Sequence, residues 1–407
     1  MHKGFKIRLY PTKEQEKQLW KTVNATRWTW NWALALQMER FRNSEKLLSA
    51  YDIAKELTKA RKSEENAWLT EVAKNSCKLV LFDLDEAYKR FFKLQRKGEK
   101  FTKKTIEKAA RRGRKLSPYD MNGHPKFKTK HKAKPCMPTP ADNVYFKDSR
   151  VLLVKIGKVK YKTDFKLPQG KNACKVFNPR VSYESGKWIM TFSMEIENEI
   201  GKRSALTKPE LNDYCVGIDL GVKTLATISC NGQKSAIPNV NKTKEVKRLE
   251  KRLKREQRKA ARREKRSKNQ NKAYKQISKT YARIRNIRRN HNHQATHKIV
   301  SMLPRAIGVE DLNVSGMMKN RHLSKAIQDC CFYEFRNQLE YKAERLGIKI
   351  AVADRFYPSS KSCSNCGHIH VKLTLRDRVY ICDECNLTID RDFNAALNLE
   401  RLASQIA

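Results

Sequence analysis

The 407-residue chain contains 88 Lys and Arg against 42 Asp and Glu, which gives a formal net charge of +46 at pH 7. Such a charge repels itself in a compact fold unless a polyanion offsets it. Membrane-surface binding normally uses one short basic amphipathic segment, whereas here the basic residues run from end to end. The composition favours nucleic acid as the partner, and its 39% hydrophobic content excludes disorder throughout.

Length and cysteine usage limit the class of protein further. At roughly 150 residues per domain, the chain predicts two to three folded units. It contains neither a membrane span of ~18 apolar residues nor the apolar segment of a signal peptide, so we expect a cytosolic or nucleoid protein without a membrane partner. The odd count of 11 cysteines then indicates reduced thiols and metal ligands rather than disulfides.

The chain begins with one strand and continues as helices. Alternating apolar residues over 5–9 predict a strand that ends at Pro11. Thr12 and Gln15 form a capping-box pattern that starts a helix, and we assign 12–117 to a helical domain. Its second amphipathic run comprises Leu79, Phe82, Tyr88, Phe91, Phe92 and Leu94.

Residues 118–207 change to a Pro, Gly and Lys-rich segment and then to alternating strands. Leu152, Val154 and Ile156 predict one strand face before a turn at Gly157. The clearest strand has an apolar face formed by Trp188, Met190, Phe192, Met194 and Ile196. Because the strand at 5–9 has no local partner, we expect it to join this sheet, so that the helical domain is an insertion into a β-barrel.

Residues 208–357 follow a strand, helix, strand pattern that predicts an α/β domain. Inside it, residues 242–289 contain 22 Lys or Arg and four Glu. Two narrow apolar stripes predict a basic helical hairpin over 242–290, rather than a merely solvated charged face, because few Glu residues compensate the charge. The stripes are Val246, Leu249 and Leu253, and Tyr274, Ile277, Tyr281 and Ile284.

Two acidic residues follow glycines in predicted core strands. Asp219 lies between Gly217 and Gly221, and strand alternation places all three on one face. We expect the two missing side chains to leave room for a phosphate backbone and metal ions. The alternative role of Asp219 is to cap the glycine turn. Glu310 repeats the pattern after Gly308, so that two strands of one domain each end in an acid.

Asp392 is the third acid, in the first turn of a predicted C-terminal helix, with Asp390 as its N-cap. Asp311 is expected to be a turn residue. Three carboxylates are the hard oxygen ligands that Mg²⁺ prefers, and two such ions ~3.5–4 Å apart can activate water for phosphodiester hydrolysis. The expected metal ligands are therefore Asp219, Glu310 and Asp392.

Four cysteines follow the spacing C-x2-C-x15-C-x2-C, with Gly367 or Asn386 directly after each pair. Four thiolates close a tetrahedral Zn²⁺ site without an open position, so the predicted zinc is structural. The other seven cysteines, including Cys330 and Cys331, are expected to be buried small apolar residues. The predicted zinc ligands are Cys363, Cys366, Cys382 and Cys385.

The ordered set of motifs resembles the transposon-encoded TnpB family, whose members are RNA-guided DNA endonucleases related to type V CRISPR effectors. The matching segments are Gly217-Ile218-Asp219-Leu220-Gly221, Val309-Glu310, the four-cysteine ribbon and Asp390-Arg391-Asp392-Phe393-Asn394-Ala395-Ala396. Further matches are Lys6-Ile7-Arg8-Leu9-Tyr10-Pro11-Thr12, Gly123-His124-Pro125-Lys126-Phe127-Lys128 and Tyr357-Pro358-Ser359-Ser360.

The resemblance implies a multidomain α+β protein with a RuvC (RNase H-like α/β) nuclease domain, a zinc-ribbon insertion, a β-barrel wedge domain and a helical recognition domain. The implied domains are the first wedge strand (1–11), the recognition domain (12–117), the wedge barrel (118–207), the RuvC domain (208–357), a target nucleic-acid-binding zinc ribbon (358–389) and the C-terminal RuvC helix (390–407). It also implies that Asp219, Glu310 and Asp392 are the catalytic residues.

The expected function is RNA-guided, Mg²⁺-dependent cleavage of double-stranded DNA beside a short target-adjacent motif. The partners would be a transposon-derived guide RNA and target DNA, with one protein per RNA. The alternatives are an RNA-guided repressor or transposition regulator, a miniature type V CRISPR effector, and a transposase that acts without RNA. Candidate nucleic-acid contacts are Tyr51, Lys74, Asn75, Lys78, Lys126, Lys128, Arg252, Arg255, Arg262 and Arg263.

Overall fold

The computed structural model describes residues 2–98, 100–130, 133–163, 165, 167–168, 175–195, 210–371, 373–374 and 377–406. The chain divides into two compact units, Met1–Glu199 and Ile200–Ala407. The predicted domain boundary at 207/208, Ile196 and Cys174 lie outside the described residues. Within the described part, every helix is too short or too polar to cross a membrane.

The first unit combines a sheet with a group of helices. Its strands are β1 (His2–Tyr10), β2 (Cys136–Pro138), β3 (Phe146–Lys147), β4 (Arg150–Leu153), β5 (Gly157–Lys162), β6 (Val176–Glu184) and β7 (Lys187–Glu195). Its helices are α1 (Lys13–Arg42), α2 (Ala50–Ala60), α3 (Lys74–Arg96) and α4 (Lys103–Ala110), with a 3₁₀ segment over Glu64–Glu71.

The predicted long-range pairing of the first strand is confirmed. The sheet order is β2-β6-β7-β1-β5-β4-β3, and β1 pairs with β7 through registers such as Ile7 to Met190. The helices α1–α4 thus interrupt the chain between two strands of one sheet. Among the described strands, β2 and β3 form free edges, so this part is an open sheet and the predicted closed β-barrel is not observed.

The register predicted for β4 is wrong by one residue. Val151 and Leu153 face the core, whereas Leu152 and Val154 are only partly buried. Leu153 already pairs with Gly157, so Val154 belongs to the connection. Since side chains alternate along a strand, burial of Val151 and Leu153 places Leu152 on the opposite face.

The helical part starts with the predicted capping box. Thr12 Oγ1 accepts from Gln15 N at 3.3 Å, and Gln15 Oε1 accepts from Thr12 N at 3.1 Å. The buried stripe of α3 differs from the prediction, because Phe92 is exposed and Leu79 and Phe82 are only partly buried. The residues of α3 that pack against α1 and α2 are Cys77, Val80, Leu81, Leu84, Tyr88 and Phe91.

The second unit is an α/β arrangement, as predicted. Its strands are β8 (Asn212–Leu220), β9 (Thr224–Cys230), β10 (Gln233–Pro238), β11 (Pro304–Glu310), β12 (Lys349–Ala353), β13 (Val379–Ile381) and β14 (Thr388–Asp390). Its helices are α5 (Lys244–Ala261), α6 (Lys268–Val300), α7 (Val314–Met317), α8 (Ser324–Cys330), α9 (Phe332–Leu346) and α10 (Arg391–Ser404).

A five-stranded sheet of order β10-β9-β8-β11-β12 organises this unit. Strands β8, β11 and β12 are parallel, and β9 and β10 are antiparallel additions. One face packs against α6 and α9 through residues such as Ile299 and Phe335. The helical stretch over 324–346 is interrupted at Cys331, whose left-handed φ of 55° separates α8 from α9.

The other face of the sheet receives α10 at the distance of backbone contact. A Cβ at Gly217 would lie 1.9 Å from Ala396 O, and one at Gly308 would lie 2.0 Å from Leu399 O. The glycines beside the acids therefore make room for α10, not for phosphate and metal as the sequence suggested. Gly221 is also close to protein, since its Cβ would be 3.0 Å from Thr224 O.

We expect Gly217→Ala to destabilise the second unit by about 1–3 kcal/mol or more, because overpacking against backbone atoms cannot be relieved by a rotamer change. Denaturant unfolding followed by circular dichroism measures the effect. Gly4→Ala is the control, since nothing lies within 4 Å of a Cβ there. Equal stability of the two variants would contradict the packing argument.

Candidate active site and zinc centre

Three predicted acids meet at one edge of the second unit's sheet. Asp219 is the next-to-last residue of β8, and Glu310 ends β11. These strands are parallel, with Ile218 paired to Val309, so the two acids are adjacent at the carboxyl edge. Asp392 lies in the first turn of α10, which packs across the same two strands.

The electrostatics show how closely the three carboxylates approach. Burial, followed by the negative charges of Glu310 and Asp392, raises the pKa of Asp219 well above its ordinary value, and Arg391 opposes this. Burial also raises the pKa of Glu310, against a hydrogen bond from Ser359. Each ionised acid thus disfavours ionisation of its neighbour, and a cation among them would relieve the repulsion.

Each acid has a different set of hydrogen-bond partners. Ser359 Oγ donates to Glu310 Oε1, and Arg391 Nη2 donates to Asp392 Oδ1 at 3.1 Å. Asp390 accepts from Phe393 N at 2.9 Å, so its predicted N-cap role is confirmed. Asp311 accepts from two arginines, Arg336 at 2.7 Å and Arg355 at 2.9 Å, and is therefore part of an ion-pair network rather than a simple turn residue.

The oxygen donors suit a hard divalent cation such as Mg²⁺. Asp219, Glu310 and Asp392 supply three carboxylates from three elements, and only Asp392 of the three forms an ion pair within the described part of the chain. The donor set therefore fits the predicted metal in its chemistry.

The four predicted zinc ligands form a compact thiol cluster. Cys363 Sγ lies 3.6 Å from Cys385 Sγ, and Cys366 Sγ lies 3.5 Å from Cys382 Sγ. All four sulfurs lie within 4.8 Å of one another, which suits a tetrahedral Zn²⁺. The positions of the four sulfur atoms thus confirm the prediction that the two C-x2-C motifs come together in one centre.

Two similar knuckles build this centre. Gly367 and Asn386 have left-handed φ angles of 81° and 54°, and their N–H groups donate to the carbonyls of Cys363 and Cys382 at 3.0 and 3.1 Å. The N–H of Leu387 helps to lower the pKa of Cys385 to about 6. Of the remaining described cysteines, Cys77, Cys215 and Cys330 are buried as expected, whereas Cys136, Cys230 and Cys331 are partly exposed.

The basic hairpin is formed by α5 and α6. Its predicted core is confirmed for Val246, Leu249, Leu253, Ile277 and Ile284. Tyr274 and Tyr281 of the predicted stripe are instead about half exposed, because they lie beside the seam, where Gln257 donates to the Tyr281 hydroxyl at 2.9 Å.

Three of the four Glu residues in the hairpin form ion pairs with arginines of the hairpin itself. Glu256 pairs with Arg252 at 2.7 Å, and Glu245 pairs with Arg283 at 2.9 Å. Arg263 donates to the carbonyl of Asn269 at the turn. Arg255 and Arg262 are exposed and have no ion pair in the described part of the chain, so they are the freest of the four predicted arginine contacts.

The candidate contacts of the first unit lie beside a groove between α2 and α3. Tyr51 is exposed, and Lys78 Nζ lies 5.8 Å from its ring centroid. Lys74 also lines this groove, which has a volume of about 280 Å³. Asn75 is exposed next to Lys74. The predicted contacts Tyr51, Lys74 and Lys78 therefore share one accessible surface.

Lys126 and Lys128 are largely engaged within the first unit. The Lys126 ammonium donates to the carbonyl of Tyr119. Lys128 Nζ lies 3.5 Å from the ring centroid of Trp30, and burial lowers its pKa. Both are weaker candidates for phosphate contacts than exposed lysines, because their charges already have partners.

Sequence reasoning missed the side chains that surround Glu310 and the ribbon. Ser359, Asn394 and Asn398 are all buried polar residues. Ser359 and Asn394 belong to segments that matched the family pattern, and Asn398 follows closely, but alternation and spacing cannot show which carbonyl an amide will reach. Buried amides require hydrogen-bond partners, and this is the signal that could have drawn attention to them.

Three family models match the chain. A helix-turn-helix domain model of IS605 OrfB proteins matches residues 1–46, the IS605 OrfB "Probable transposase" model matches 191–321, and the Cas12f1-like TNB domain model matches 332–399. The chain thus contains domains of the IS605 OrfB type, in agreement with the predicted resemblance to TnpB proteins. Residues 2–46 contain β1 and the single helix α1, so the helix-turn-helix named by the model is not formed there.

Two similar relatives span nearly the whole chain, and a third matches a shorter part of it. One, from Streptomyces pristinaespiralis, is named "Putative RNA-guided DNA endonuclease" and is 29% identical over 98% of this chain and 88% of its own. InsQ of Escherichia coli K12, "Putative RNA-guided DNA endonuclease InsQ", is 28% identical over 97% and 91%. A "CRISPR-associated endodeoxyribonuclease Cas12f1" from Sulfoacidibacillus thermotolerans is 30% identical over 29% and 28%.

We expect Asp219→Asn to raise the melting temperature of the metal-free protein above pH 7, because the substitution removes a buried charge that repels two neighbours. A raised carboxyl pKa costs stability only where the group is ionised, so the gain should shrink as pH falls toward the unfolded value near 4. Thermal unfolding between pH 8 and 4.5 measures this. Asp213→Asn, with its side chain 93% exposed, should change little, and a loss of stability in Asp219→Asn would contradict the argument.

We expect one tightly bound Zn²⁺ per chain and its loss in Cys382→Ser, because a fourth thiolate is needed to close the structural site. Metal content by mass spectrometry measures the stoichiometry, and chelation should lower the melting temperature of the wild type. Cys230→Ser is a matched control outside the cluster. Full zinc content in Cys382→Ser would show that the four cysteines do not form the site.

Proposed function

We propose that this protein is an RNA-guided, Mg²⁺-dependent DNA endonuclease that cuts double-stranded DNA beside a short target-adjacent motif. The guide would be an RNA derived from the transposon. In this proposal the second unit contains a RuvC (RNase H-like) nuclease domain with Asp219, Glu310 and Asp392 as its catalytic residues. The predicted domain boundaries and the single protein per RNA belong to the same proposal.

The observation that carries the proposal is the convergence of three carboxylates at one sheet edge. They come from β8, β11 and α10, and the neighbouring charges raise the pKa of Asp219. A fold that needs only stability would separate these charges or pair each with a base. Maintaining three acids at one edge is the arrangement expected of a divalent-metal site.

Asp219, Glu310 and Asp392 would hold the Mg²⁺. The metal would lower the pKa of a water molecule and stabilise the leaving oxygen of a phosphodiester. The protein's own contribution is position: the parallel pairing of β8 with β11 fixes two acids, and backbone contact at Gly217 and Gly308 fixes the helix that carries the third.

The charge distribution supports nucleic acid as the substrate and guide. Of the net +46, the segment 242–289 carries +18, and three of its four Glu residues are already paired within the second unit. A thin apolar seam with a basic exterior offers backbone contacts along an RNA or an RNA–DNA heteroduplex without reading base sequence. The relatives' names point to the same guide and substrate.

We expect the purified protein–RNA complex to cut a plasmid that carries the guide-matched sequence and motif, and to require Mg²⁺. Asp219→Ala, Glu310→Gln and Asp392→Ala should each reduce cleavage by more than about 100-fold, since even outer-shell changes at metal sites cost 10–100-fold. Gel analysis of plasmid linearisation measures the rate. Guide RNA and target binding, followed by filter retention, should remain.

Several outcomes separate the proposal from its alternatives. Wild type that binds the matched target but leaves it intact would favour an RNA-guided repressor. Activity that survives RNase treatment would favour a transposase that acts directly on DNA. Sequencing the copurified RNA distinguishes a transposon-end transcript from a CRISPR transcript, and random cellular fragments would contradict guidance. Asp311→Asn, outside the proposed triad, is the matched carboxylate control.

A further inference from the structure

A buried serine contacts one of the three acids. The Ser359 side chain belongs to a residue only 4% exposed, and its Oγ donates to Glu310 Oε1. A carboxylate with one fixed oxygen has fewer orientations than a free one, because the hydrogen bond restricts rotation of the whole group. Glu310 is the residue that needs such support, since it ends a strand rather than continuing into a packed helix.

Ser359 is itself held by the C-terminal helix. Asn398 of α10, 2% exposed, donates through Nδ2 to the carbonyls of Ser359 and Ser362, both at 2.7 Å. A buried amide that makes both of these bonds is fully used as a donor. Loss of either hydrogen bond would leave a polar group unpaired, which costs free energy. The position of Ser359 relative to α10 is therefore well defined.

A second asparagine repeats the contact one turn earlier. Asn394 is fully buried and donates to Ser362 O at 2.7 Å, and its Oδ1 accepts from Ser364 N at 3.0 Å. The segment 359–364 is thus tied to α10 at several carbonyl and amide groups. This segment includes Cys363, the first cysteine of the zinc centre.

The same helix carries Asp392 in its first turn. Through Asn398 and Ser359 it also determines where one oxygen of Glu310 lies. The two acids belong to elements far apart in sequence, and this hydrogen-bond network links them in addition to the packing of α10 on the sheet. The network reaches the acids from the side of the ribbon and not through the strands.

We propose that Ser359 is a positioning residue that orients Glu310 for divalent-cation binding, held in place by Asn398 of the helix that bears Asp392. The inference rests on the proposed function only for the identity of the reaction. It assigns Ser359 no contact with substrate or metal, so its removal should weaken metal binding more than it slows the metal-saturated reaction.

We expect Ser359→Ala to raise the half-saturating Mg²⁺ concentration for cleavage about 10–100-fold, the range found for outer-shell partners of metal ligands. The rate at saturating Mg²⁺ should fall much less. Ser359→Thr keeps the hydroxyl and should restore most of the apparent affinity. Ser360→Ala is the matched control, because the described part of the chain shows no hydrogen bond from the Ser360 hydroxyl.

A second readout does not require cleavage. Mg²⁺ or Mn²⁺ that binds the folded protein raises its melting temperature by mass action, so Ser359→Ala should need a higher metal concentration for the same shift. Glu310→Gln should abolish most of the metal-induced rise in melting temperature that depends on the Glu310 carboxylate. Melting without metal reports whether any variant is simply less stable.

The outcomes separate this inference from the proposed function. Wild type that cleaves, with Ser359→Ala giving the same Mg²⁺ dependence in both assays, would overturn the role of Ser359 and leave the nuclease proposal intact. If wild type does not cleave, the nuclease proposal fails, and the metal-dependent melting still decides on Ser359. A Thr variant as impaired as Ala would assign the loss to packing and would also overturn the inference.

Discussion

The close approach of α10 to the sheet is the constraint on which the second unit depends. The helix backbone lies where Cβ atoms of Gly217 and Gly308 would be, so its distance from β8 and β11 is set by backbone contact and not by compressible side chains. This contact brings Asp392 to the edge where Asp219 and Glu310 end their strands. A side chain at either glycine would push the third acid away from the other two, and the site would lose its third carboxylate before it lost any secondary structure.

That packing has an electrostatic cost in a protein with a large positive charge. Asp219 and Glu310 both have raised pKa values, first because of burial and then because of neighbouring acids. Basic residues are abundant, yet nearby Asp311 receives two arginines, while Arg391 pairs with Asp392. The fold thus gives Asp392 one compensating base and leaves Asp219 and Glu310 without an ion pair in the described part of the chain. A protein that retains such a destabilising cluster has a use for it, and a divalent cation is the ligand that reverses the repulsion.

The sequence predicted what depends on local pattern. The capping box at Thr12 and the hairpin seam through Leu249 and Ile277 are short-range features, and both were confirmed. Tertiary contacts decided the rest. Glycines beside the acids looked like open space, but the space is filled by a helix that comes much later in the chain. Likewise, the separation of Ser359 and Asn398 along the chain follows no helix or strand period, so their hydrogen-bond network could not be predicted.

The two candidate metal sites of this unit, the four-cysteine centre and the three carboxylates, use different ligands but contact the same helix. Thiolates select a closed zinc centre, whereas carboxylates suit a hard cation that can be exchanged. The ribbon lies between β12 and α10, and β14 passes directly into the helix that carries Asp392. At its other end, the segment with Ser359 and Cys363 is bound to that helix by buried amides. Because both ends of the ribbon terminate at α10, folding of the zinc centre fixes the chain on either side of the acids, and loss of zinc should loosen them although no thiolate contacts them.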